Sequence, residues 1–161
     1  MIPLLLLVGR VRPQMLPPLP PLPVSLWLTV EGPNGKNGMT GARWDPDLRP
    51  LPAGPPFKLR AGETPTIRWT VKNLSAKQTV RQVVVNFVVS HAAKPGSPPR
   101  KPGTLGDTIE HALGTDIGPG DTTTGEYRTP IEEKGEYVVA LELLDPDGRL
   151  RQSCALELSV E

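Results

Sequence analysis

Between Thr66 and Val89 (TIRWTVKNLSAKQTVRQVVVNFVV) apolar side chains return at every second residue. In TIRWTVKN the phase Ile67, Trp69, Val71 is apolar and Arg68, Thr70, Lys72 is polar, the pattern of an antiparallel strand with one wet face. After the turn LSAKQ, the phase Val83, Val85, Phe87, Val89 is wholly apolar, and Val84 and Val88 make the other face partly so, which predicts a strand inside a sheet. Tyr137, Val139, Leu141, Leu143 and then Cys154, Leu156, Leu158, Val160 repeat the pattern on either side of a DPDG hairpin turn. Such one-sided strands are stable only when two sheets bury their apolar faces against each other. The expected fold is therefore all-β, an antiparallel β-sandwich of about seven or eight short strands. The 11 apolar positions Ile67, Trp69, Val71, Val83, Val85, Phe87, Tyr137, Val139, Leu141, Leu156 and Leu158 are expected in one core.

Proline divides the chain. Of its 21 prolines, 13 precede residue 61, and proline cannot donate to a strand ladder. Residues 1–23, ending MLPPLPPLP, read as an apolar and Pro-rich leader or linker in polyproline II form, and 24–161 as a single sandwich domain. Ile2–Val8 is an apolar run at the lower limit for a signal-peptide core and too short for a transmembrane span. Arg10 and Arg12 follow this run rather than precede it, an order that a start displaced upstream would correct. Val24–Val30 (VSLWLTV) predicts an edge strand with Leu26, Leu28 and Val30 on one side. From Glu31 to Pro56 turn residues dominate, so this stretch is expected to be one long loop with Trp44 in its middle. Residues 91–108 predict a second long connection.

Composition excludes much chemistry. The net charge is +1, and no Lys/Arg block alternates with aromatics, so nothing here builds a nucleic-acid-binding face. Cys154 is the only cysteine, which rules out an intrachain disulfide and a Cys-based zinc site; it falls in an apolar phase, as a packed thiol would. His91 and His111 have no metal-ligand partner at a recognisable spacing, and two histidines with no nucleophile elbow support no triad. Glu132 and Glu133 are adjacent in a turn and diverge, which makes them poor acid/base partners. No catalytic residue, cofactor or metal is expected. A weak calcium site at Asp145 and Asp147 with Asp45 and Asp47 is the nearest alternative, but Arg149 and Arg151 stand where a calcium loop needs oxygen ligands.

Four features lie together in this order: Thr70–Asn73 (TVKN) ending a strand, the Val-rich Val83–Val89, the PG turn and Thr-rich Pro119–Thr124, and Gly135 and Tyr137 opening a strand that ends at Asp145. In these the chain resembles the CARDB-like domains and the wider group of bacterial immunoglobulin- and fibronectin-type modules, over residues 57–161. The resemblance implies an immunoglobulin-like sandwich, with Tyr137 as a tyrosine corner whose hydroxyl bonds nearby backbone. It also implies a non-catalytic extracytoplasmic interaction or structural module, exported to the periplasm or cell surface, with a protein or glycan partner in the cell envelope. One alternative is a carbohydrate- or protein-binding sandwich that uses loop 31–56; another is a cytosolic scaffold with a polyproline tail. On the binding reading the expected recognition surface is Trp44, Asp45, Asp47 and Arg49, with Trp27 as a second stacking platform; the alternative is that Trp44 only pins the loop to the sheet.

Overall fold

Alternation that long forces pairing. The computed structural model describes residues 20–35, 38–47, 54–92 and 109–161, and among them it contains nine strands and no α-helix. They are β1 Val24–Glu31, β2 Met39–Trp44, β3 Phe57–Leu59, β4 Thr66–Asn73, β5 Val80–His91, β6 Ile109–Ile117, β7 Thr122–Arg128, β8 Gly135–Leu144 and β9 Leu150–Val160. One sheet has the order β2-β1-β4-β7 and the other β3-β9-β8-β5-β6. All pairings are antiparallel except β3, which runs parallel to β9 with Phe57 opposite Leu158.

The two sheets share one hydrophobic core. Leu26, Leu28, Val30, Ile67 and Val71 from the four-stranded sheet meet Val85, Phe87, Val139, Leu141 and Leu158 from the five-stranded one, all essentially without solvent contact. Phe87 on β5 and Tyr127 on β7 touch across the gap with ring centroids 5.7 Å apart. Each such aliphatic side chain contributes on the order of 1.5–3 kcal/mol by leaving water. Of the 11 expected core positions, Trp69 and Leu156 are half-buried and the others are buried. Trp69 lies beside edge strand β7, where its indole covers Gly125; a β-carbon at that glycine would overlap the ring. Leu156 precedes the stretch of β9 that β3 covers, since β3 reaches only Leu158 to Val160.

Two expectations are corrected. Val24–Glu31 is an interior strand, flanked by β2 and β4, because the stretch expected to be a single loop contains β2. That added strand brings the count to nine. MTGARW is short, with Gly41 at its centre, and follows a glycine-rich turn, so its weak alternation is hidden among turn residues. β5 is interior, between β8 and β6, and both its faces are buried at Phe87 and Val88.

Side chains lock the turns. Asn73, ending TVKN, is fully buried: its Nδ2 donates to the carbonyls of Gln78, Ile117 and Gly118 at 2.7–3.0 Å, and its Oδ1 accepts the Ser75 amide. One amide thus clasps the LSAKQ turn to the IGPGD turn. Tyr137 Oη donates to the Glu133 carbonyl at 2.8 Å, four residues upstream. In DPDG, Asp145 Oδ1 accepts the amides of Asp147 and Arg149, and Gly148 takes the left-handed conformation (φ 75°) that closes the turn. The described chain begins at Pro20, and this end is anchored: Arg151 and Gln152 on β9 donate to the carbonyls of Pro20 and Leu22, and Leu74 N–H donates to Pro23. Residues 1–19 of the expected leader or linker lie outside the described residues.

Candidate functional site

The register of β1 and β2 decides where the two candidate tryptophans go. Trp44 stands opposite Leu26 and Trp27 opposite Arg43, so the two indoles leave the sheet on opposite faces. Trp44 points inward and packs half-buried against the core, with its backbone amide directed at the Cys154 thiol. Trp27 points outward and is 47% exposed, among the larger exposed apolar side chains described. The rings do not form one platform.

Around Trp27 a small structure is built. The Arg43 guanidinium lies over its ring, 4.6 Å from the centroid, a cation–π contact. Arg43 Nη2 is held by Asp45 Oδ2 at 2.8 Å, and Asp45 Oδ1 in turn accepts the Asp47 amide at 3.1 Å. The Asp47 amide chiefly, and then the Arg43 guanidinium, hold the Asp45 carboxyl below its usual range. Of the five expected recognition residues, Trp27, Asp45 and the Asp47 backbone are thus connected, Trp44 faces the other way, and Arg49 lies outside the described residues. The connecting residue, Arg43, is missed by sequence reasoning. Its role depends on the cross-strand register of β2, and a strand with Gly41 at its centre gives little sign of one.

The rest of this outer face is polar and low. Thr70 lies opposite Trp27 on its other side, and Thr124 opposite Thr70, so Arg43, Trp27, Thr70 and Thr124 form a row across all four strands. The row beside it begins with Gly41 and Thr29 and continues to Arg68 and Glu126. Arg68 bridges Glu31 and Glu126 at 2.8 Å each, and Arg128 also bonds Glu126 at 2.7 Å. These pairs are exposed and contribute little stability, but they neutralise that end of the face. A polar cleft between this network and the turns at 32–35 and 62–64 is lined by Glu31, Glu63, Thr66, Arg68 and Arg128, whose arginines are already engaged by carboxylates.

The remaining candidates are placed as follows. His91 ends β5, stacks on Tyr137 at 4.3 Å, and has Nε2 3.4 Å from a Glu133 carboxylate oxygen. His111 is in β6. Burial pushes the Cys154 thiol up to about 12, with the Trp44 amide opposing the shift. Asp145 spends its carboxylate on turn amides, and among the described residues no three His, Cys, Asp or Glu side chains converge as metal ligands would. Among the described residues no helix is long and apolar enough to cross a membrane. In comparisons with known proteins, no family model matches the chain and no curated protein is detectably similar to it.

Proposed function

We propose that this chain is a non-catalytic interaction module of immunoglobulin type, of the kind bacteria place outside the cytoplasm, and that it holds an envelope partner on the outer face of its four-stranded sheet. The immunoglobulin-type reading is supported by strand β3 running parallel to the last strand β9 at a sheet edge, and by the Tyr137 corner at the start of the penultimate strand. The CARDB-like resemblance supports the extracytoplasmic setting.

The observation that carries the functional reading is Trp27. An indole left half in water, with one face capped by a guanidinium that is itself fixed by Asp45, is a pre-oriented anchor of the type that dominates recognition surfaces. Around it lie the Thr70 and Thr124 hydroxyls and the Arg43 guanidinium paired with the Asp45 carboxylate. The test is co-sedimentation of the purified chain with the envelope fraction of its source organism. Trp27→Ala is expected to lower retention at least tenfold with an unchanged melting temperature; retention equal to that of the parent chain would contradict the reading.

A further inference from the structure

We infer that the row Arg43–Trp27–Thr70–Thr124 is a binding track for an acidic polysaccharide, one whose sugar rings carry carboxylates. This rests on the reading of the four-stranded face as the recognition surface and names what that face holds.

Geometry comes first. Three inter-strand steps of about 4.8 Å make the row roughly 14 Å long, running straight across the sheet. It begins with a guanidinium, continues with an indole that is about half exposed, and ends with two threonine hydroxyls. A pyranose offers a flat C–H face to an aromatic ring and hydroxyls at its rim, so indole followed by hydroxyls is the order of groups that a sugar chain laid along the row would meet. The neighbouring Gly41 and Thr29 keep the adjacent surface low, so Trp27 stands proud of it. An extended peptide would pair instead along a strand edge, where backbone donors and acceptors are free, and not across the middle of a paired face.

Charge selects the kind of sugar. At the far end of the face, Arg68 and Arg128 are matched by Glu31 and Glu126. Beside Trp27 the Arg43 guanidinium is matched by Asp45, and Lys72 is the cation left without a carboxylate in contact among the described residues. Lys72, diagonal to Trp27 through the Ser25 pairing, lies within reach of a ligand on the indole and makes no ion pair with the described residues. Arg43 gives one nitrogen to Asp45 and, with five donors in its fork, retains others. A ring carboxylate above Trp27 would find both cations, whereas a neutral sugar would leave Lys72 unused.

Isothermal titration of the full chain with an oligogalacturonate and with a cello-oligosaccharide of equal length tests this. The expected result is binding of the oligogalacturonate at least about tenfold tighter than the neutral chain and weakened by salt. Trp27→Ala should weaken it at least tenfold, Lys72→Gln several-fold, and Thr124→Val, an isosteric change on an exposed edge, measurably, all without loss of the folding transition. Absence of binding, equal affinity for the neutral oligomer, or undiminished binding by Trp27→Ala would each overturn the assignment, as would matching affinity for an oligoglutamate, which would give the face to an acidic peptide. If envelope co-sedimentation stays Trp27-dependent while the oligogalacturonate fails, only the sugar assignment falls; if both fail, the recognition surface falls with it.

Discussion

At the scale of single residues, the side chains with the largest consequences are those whose surroundings leave them no alternative. Asn73 is one: truncation to alanine would orphan three buried or half-buried carbonyls and the Ser75 amide at once. Asn73→Ala is therefore expected to destabilise the fold by about 2–3 kcal/mol, read as a shifted denaturation midpoint with an unchanged slope. Cys154 is another. Its thiol is held neutral by burial up to about pH 12, so in the native state it should resist a thiol-specific disulfide reagent and react only after unfolding. The same shift has a sign in stability. The folded thiol ionises at a higher pH than the unfolded one, so its contribution is intact below the ordinary value of 9.0 and is lost as pH rises toward about 12. A Cys154→Ala variant should show a shallower alkaline decline than the parent chain.

Elements divide into those their own residues announce and those a neighbour must explain. The phases of β4, β5, β8 and β9 were legible because Ile67, Val71, Val83, Phe87, Val139 and Leu158 alternate without interruption, and the Tyr137 corner was legible because Gly135 and Tyr137 open their strand together. β2 was not. Its inward residues are Thr40, Ala42 and Trp44, too few and too mixed to signal a strand, and only pairing with β1 fixes which way they point. What depends on the pairing of β2 was hidden with it: the interior position of β1 and the role of Arg43, whereas a Trp44 pinned to the sheet was among the expectations. The inward packing gives Trp44 a definite expectation: Trp44→Ala should cost about 2 kcal/mol or more in stability, whereas Trp27→Ala should leave the transition in place. On β7 the element depends on an absence. Gly125 lets Trp69 lie across an edge strand, and Gly125→Val would force the indole or the strand to move. A loss of about 1–3 kcal/mol is expected, seen as a lowered melting temperature together with a changed Trp69 fluorescence environment.

For the molecule as a whole, the two sheets differ in what they bury and what they expose. The five-stranded sheet supplies most of the aliphatic core and carries β5 buried on both faces, while the four-stranded sheet turns Trp27, a charge network and a field of threonines outward. Binding at that face need not disturb the core, since the anchoring relay Trp27, Arg43, Asp45 and Asp47 is local and sits at the β2 edge. On the proposed function, this face is where the chain meets its partner. The most direct measurement is amide and indole chemical-shift mapping of the labelled chain as solubilised envelope material is added. Shifts concentrated on Arg43, the Trp27 indole, Thr70 and Thr124, with the Tyr137 and Phe87 regions unmoved, are the predicted result. Shifts concentrated on the five-stranded sheet or the 32–35 turn, with the Trp27 indole unchanged, would contradict it.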